Sequence, residues 1–143
     1  MFRQLTDQVF VSPQINLAEV AEAAAQGVTL IINNRPEGES DDQVSGAEIE
    51  TAARAAGMDY AAIPVTHAGF SQWQMEAMAK ALGEASGPVL AYCRSGTRST
   101  LLWALAEASR GRNPGVLAAQ AAAAGYDLTP VREMLDVLAA RQP

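Results

Sequence analysis

The sequence of 143 residues predicts an α/β fold: a mainly parallel central sheet of about four to five strands, flanked by helices on both faces. Residues 28–32 (Val-Thr-Leu-Ile-Ile) are a β-branched run and 89–92 (Val-Leu-Ala-Tyr) a short apolar one, the pattern of strands covered on both faces. The segments between such runs open on helix-capping residues and close on glycine. Strand and helix signals also alternate, and right-handed crossovers then leave few topologies open.

In chain order, residues 2–5 and 8–11 are separated by Thr6-Asp7 and form a short antiparallel pair. Asn16, with Glu19 three residues on, caps a helix that ends near Gly27. The strand at 28–32 follows, then a polar loop from Asn33 to Val44. Ser45 with Glu48 opens a helix through Ala56, stopped by Gly57. Residues 59–65 read as a second buried strand, ended by Pro64. Ser71 with Gln74 starts a helix to about Ala85, and Gly87-Pro88 turns the chain into the strand at 89–92. Leu101, Leu102, Leu105 and Ala108 recur at helical spacing up to Gly111. Asn113-Pro114 begins another helix, which Gly125 ends, and Thr129-Pro130 begins the last. The alanine runs at 23–25 and 121–124 fall in these helices, where alanine is the best former.

Composition narrows the function classes. Hydrophobic residues make up 49% and charged residues 18%, below the globular norm of about 25%, so the chain folds and is not disordered. No composition break divides it, and residues 1–143 are expected to form a single domain. No run approaches the roughly 18 apolar residues of a membrane span. The first 20 residues lack a basic-then-apolar leader, and the lone Cys93 excludes an internal disulfide, so a cytoplasmic location is expected. Sixteen acids against ten bases give a net charge of −6, which argues against a nucleic-acid partner. Nine of the ten bases are arginine, and two of them, Arg94 and Arg98, flank a glycine beside the only cysteine.

Tyr92-Cys93-Arg94-Ser95-Gly96-Thr97-Arg98-Ser99 reads as strand, tight loop and helix start. Gly96 permits a turn other residues resist, so loop amides can converge at the positive end of the following helix. Such a surround favours thiolate over thiol at Cys93, with Ser99 as a further hydrogen-bond donor. Arg98 offers a planar fork for an oxyanion or a polysulfide. Most free cysteines are small buried hydrophobes, but a glycine loop bearing two arginines does not belong in a core. Cys93 and Arg98 are therefore the catalytic candidates, and Arg94, Ser95, Gly96, Thr97 and Ser99 the anion- or sulfur-binding loop.

Cys93-Arg94-Ser95-Gly96-Thr97-Arg98 resembles the rhodanese active loop, Cys-Arg-x-Gly-x-Arg. The remainder looks more like the dual-specificity phosphatase fold. Ser12-Pro13-Gln14, Ile31-Ile32-Asn33-Asn34-Arg35-Pro36, Ile63-Pro64-Val65, residues 87–99 and Ala124-Gly125-Tyr126-Asp127 together are similar to the beta-lactamase-hydrolase-like family. The resemblance implies a sulfurtransferase on a protein tyrosine/dual-specificity phosphatase-like fold. Some members are fused to a metallo-beta-lactamase-fold persulfide dioxygenase, which the resemblance offers as a partner.

Phosphatases of that fold use Cys-x5-Arg, usually with His before the cysteine; here the spacing is Cys-x4-Arg and Tyr92 precedes. In the rhodanese family the shorter cradle goes with sulfur. Those phosphatases also carry an Asp that protonates the leaving alkoxide, whereas residues 64–70 contain no Asp or Glu. Sulfane-sulfur transfer expels sulfite or a thiolate and needs no such acid. The expected activity is transfer of sulfane sulfur from thiosulfate or a low-molecular-weight persulfide such as glutathione persulfide, through a Cys93 persulfide, to a thiophilic acceptor. The alternatives are a phosphatase with a cysteinyl-phosphate intermediate and a non-catalytic anion- or persulfide-sensing module. His67, the only histidine, lies where the acid would be and reads either as an acid/base or as an ordinary loop residue. Asn33, Asn34 and Arg35 either line the pocket or are plain loop residues. Trp73 and Trp103 are expected in the core, and Asp41, Asp42 and the nearby glutamates in a solvated loop. No His/Cys cluster has metal-ligand spacing, so neither a metal nor another cofactor is expected.

Overall fold

Side-chain caps start three of the helices. The computed structural model describes residues 2–141. The elements run β1 (Arg3–Gln4), β2 (Val9–Ser12), α1 (Leu17–Ala25), β3 (Leu30–Asn33), α2 (Gly46–Ala55), β4 (Asp59–Ala62), α3 (Gln72–Glu84), β5 (Val89–Tyr92), α4 (Thr97–Ser109), α5 (Pro114–Ala123), a 3₁₀ turn (Thr129–Val131) and α6 (Arg132–Ala140). Asn16 and Ser45 each accept from the backbone N–H three residues on, and Glu19 and Glu48 reach back, which completes both expected capping boxes. Asn113 Oδ1 takes the N–H groups of Gly115 and Val116, with Pro114 in the first turn of α5.

The five strands lie in the order β1-β2-β5-β3-β4; β1 is antiparallel to β2 and the rest are parallel. Strand pleating splits the apolar residues between two cores. Val9, Val11, Leu30, Ile32, Val89 and Ala91 join the helices α3–α6, and Ile31, Leu90 and Tyr92 join α1 and α2. Thus α1, which follows β2, lies on the face opposite α4, which follows β5. Adjacent strands leading to opposite faces open a crevice at their carboxyl ends, the usual ligand position in such sheets. Cys93 sits there.

Several expectations need correction. The strand expected at 59–65, buried on both faces, is instead the edge strand Asp59–Ala62, with Asp59 and Ala62 exposed, because β3 is its one neighbour. Beyond it, Ile63 and Val65 still donate backbone bonds to Asn33 O and Asn34 O, each 2.9 Å, and this ties residues 63–65 to the β3 end. The strand expected at 28–32 starts at Leu30, because Val28 N–H is taken by Ala23 O at the end of α1. Helix α4 buries every residue from Ser99 to Ala106, not one face, since α3, α5 and α6 surround it. Trp103 is fully buried there, but Trp73 is 53% exposed on the outer side of α3. Among the described residues no helix is long and apolar enough to cross a membrane, and no three His, Cys, Asp or Glu side chains are grouped to hold a metal ion.

Candidate active site

The site begins with a bend in the backbone. Gly96 adopts φ +92°, and as the residue capping α4 it turns the loop back towards the end of β5. Its N–H then donates to Cys93 Sγ at 3.1 Å. Thr97, Arg98 and Ser99 follow as the first turn of α4, ahead of the Thr100 N–H bond to Gly96 O at 3.0 Å. Cys93 has no exposed surface, and its sulfur takes the Gly96 N–H of the loop. Arg94, Ser95 and Thr97 form the exposed rim.

Ser99 does not act as expected. Its hydroxyl is buried without a hydrogen-bond partner and does not donate to the sulfur. Convergence of several loop amides is also reduced to one: among the described residues, Gly96 alone donates to Sγ from the backbone.

Arg98 is not the free fork the sequence suggests. Its Nη1 donates to Glu39 Oε2 at 2.7 Å and to Val65 O at 2.6 Å, and its Nη2 donates to Glu39 Oε1 at 2.8 Å. Both terminal nitrogens are therefore engaged. The guanidinium is held above its ordinary pKa, chiefly by the Glu39 hydrogen bonds and to a lesser degree by the nearby Cys93 sulfur. Glu39 in turn accepts from Arg35 Nε at 3.0 Å. The Arg98 hydrogen bond is the largest cause that lowers Glu39 to a pKa of about 2, against the opposing effect of burial, with Arg35 adding to it.

Glu39 was among the glutamates expected in a solvated loop; its side chain is instead 15% exposed, while Asp41 and Asp42 are indeed exposed. Composition could not separate it from them, because its partner is 59 residues away. Arg35 is buried, with Nη1 on Gln14 Oε1 (3.0 Å) and Nη2 on Ser40 Oγ (3.1 Å). It holds Glu39 and does not reach into the loop. Asn34 is also buried: its Nδ2 donates to Ile63 O at 2.8 Å, its backbone N–H to Tyr92 O at 2.8 Å, and its Oδ1 has no partner. Both follow β3 at the carboxyl end of the sheet, with side chains bonded to neighbouring protein groups. His67 lies apart, exposed in the turn after Val65, and no hydrogen bond or ion pair among the described residues links it to the loop.

Two further contacts frame the loop. Gln14 N–H donates to Arg94 O at 3.2 Å, and Tyr126 Oη–H donates to Ser95 O at 3.0 Å. A cavity of about 370 Å³ lined by Gln8, Leu82, Gly87 and Glu107 lies at the amino ends of β2 and β5, the wrong end of the sheet for this chemistry.

Comparisons with known proteins agree with this architecture. Residues 1–110 match the family described as the phosphatase-like domain of beta-lactamase hydrolase-like protein. A beta-lactamase hydrolase-like protein of Agrobacterium fabrum is 38% identical over 109 residues, 76% of this chain and 25% of that protein. One from Xylella fastidiosa Temecula1 is 35% identical over 108 residues, with the same shares. The match thus spans about a quarter of the length of these relatives. A crystal structure of a candidate phosphatase from Neisseria meningitidis is 35% identical, covers 95% of this chain and 96% of that one, and has a TM-score of 0.83. Tk-PTP shares the fold alone, at 17% identity and a TM-score of 0.76, over 99% of this chain and 97% of its own. These likenesses favour the phosphatase alternative over sulfur transfer, which none of them carries. By the match over residues 1–110 and the relatives' identity, the chain belongs to the beta-lactamase hydrolase-like family, as its phosphatase-like domain.

Proposed function

We propose that this phosphatase-like domain is a sulfurtransferase, with Cys93 as nucleophile. One observation carries the choice of sulfur over phosphate. The carboxylate that reaches the loop, Glu39, is held ionised by two guanidiniums at a pKa of about 2, so at neutral pH it has no proton to give. Residues 64–70 supply no carboxyl group either, and His67 is exposed and unconnected to the loop. An alkoxide leaving group would depart unprotonated, which is slow. Sulfite or a thiolate departs without that help.

In the proposed cycle the Cys93 thiolate attacks the outer sulfur of thiosulfate. A Cys93 sulfur–sulfur bond forms, the bond within thiosulfate breaks, and its electron pair leaves with sulfite. The Cys93 persulfide keeps one negative charge, which the Gly96 N–H, the first-turn amides of α4 and the positive charge of Arg98 stabilise. An acceptor thiolate or cyanide then attacks the terminal sulfur and regenerates the thiolate. Because Cys93 has no exposed surface, donor entry goes with a local opening of the rim at Arg94, Ser95 and Thr97.

The fold likeness and the family description support a second reading, a phosphatase with a cysteinyl-phosphate intermediate. One pair of measurements separates the two. Incubation with thiosulfate should add about 32 Da, one sulfur atom, to Cys93 and nothing to Cys93→Ser, while an aryl phosphate turns over slowly or not at all. Absence of the mass gain, together with aryl phosphate turnover lost in Cys93→Ser, would move the assignment to the phosphatase.

A further inference from the structure

The contact between Tyr126 and the loop has a particular geometry. Its hydroxyl donates to the carbonyl oxygen of Ser95, and the N–H that donates to Cys93 Sγ is that of Gly96. Those two groups are opposite ends of the same peptide unit. Donation into the carbonyl polarises the amide and strengthens its N–H as a donor, so the hydroxyl, the peptide and the sulfur form one hydrogen-bonded chain. The same hydroxyl lies so close over Gly96 that a Cβ at that position would collide with it.

Tyr126 is itself held in place. The Arg3 guanidinium lies 5.2 Å from its ring centroid, and Arg3 Nη1 donates to Ala124 O at 3.1 Å. Burial, above all, raises the phenol, with Arg3 opposing and the Cys93 charge adding, so the hydroxyl keeps its proton and remains a donor. Tyr126 also lies outside the residues matched to the family, 1–110.

We infer that Tyr126 is a positioning residue for Cys93, acting through the Ser95–Gly96 peptide, which it aims and polarises towards the sulfur. The inference rests on Cys93 being the reacting group but holds for either leaving-group chemistry.

The test is the rate of Cys93 alkylation by iodoacetamide across pH, in wild type and in Tyr126→Phe, which keeps the ring and removes the hydroxyl. Weakening the one backbone donor to the sulfur should move the midpoint of the profile up by about half a unit to one unit, with alkylation on its acid side about three- to tenfold slower. Superimposed profiles overturn the inference. So does a lower melting temperature with an unmoved midpoint, which marks a merely structural contact. Should Tyr126→Phe fail to fold, Arg3→Leu, which frees the ring to tilt, is read the same way: an upward shift supports the inference and no shift overturns it. Alkylation uses neither thiosulfate nor a phosphate ester. An inert response to thiosulfate would therefore sink the sulfur reading and leave this one standing, and an unmoved profile would do the reverse.

Discussion

A guanidinium with both terminal nitrogens on a carboxylate is a clasp before it is an anion clamp. At the scale of single residues, Arg35 and Arg98 both pair with Glu39, their shared partner. Glu39→Gln leaves two arginines close together and takes away their carboxylate. Removing one member of a largely buried pair is costly, and the expected loss is about 2–3 kcal/mol, read as a lower denaturant midpoint. Gly96→Ala is expected to abolish sulfur uptake at Cys93 in the thiosulfate mass assay. A side chain at φ +92° is strained by about 1–2 kcal/mol, and its Cβ would drive Tyr126 off Ser95.

At the scale of elements, α4 differs from every other helix. It starts at the reactive loop and is buried at every residue from Ser99 to Ala106, so its small residues there are spacers between α3, α5 and α6. Ala104→Leu adds volume where none is free and is expected to cost about 1–3 kcal/mol in equilibrium unfolding. Trp73→Gln, a larger chemical change on the exposed side of α3, should alter stability by no more than about 0.5 kcal/mol in the same measurement. The contrast shows why residue type misjudged Trp73: a tryptophan names no face of its helix, and the neighbours that would bury it come from elsewhere in the chain.

At the scale of the whole molecule, Glu39 links stability to acid. Its pKa falls from 4.5 to about 2 on folding, so the unfolded chain binds the proton more readily than the native one. Its contribution is complete above about pH 5 and is withdrawn as the pH falls through 4.5 towards 2, at most about 3 kcal/mol in all. Asp42 and Asp127 are lowered too, chiefly by hydrogen bonds from Ser40 and Thr129, but both are solvent-exposed and add little. Chemical denaturation at a series of acid pH values should show the decline, and Glu39→Gln should flatten it.

The linear sequence by itself determined what short-range contacts decide. The capping boxes at Asn16 and Ser45 close within four residues, and Cys93-Arg94-Ser95-Gly96-Thr97-Arg98 is contiguous, so helix starts, the loop and its cysteine were legible. The alternation of apolar strands with capped helices also implied a mainly parallel sheet. What encloses the loop was decided by tertiary structure alone. Insertion of β5 between β2 and β3 brings Gln14 and Glu39 to its sides, and the return of the chain after α5 brings Tyr126 over Gly96. Glu39 is 59 residues from Arg98, and Tyr126 is 31 from Ser95. No local periodicity records such distances, because they are set by strand order, and strand order is chosen by how two cores are covered at once.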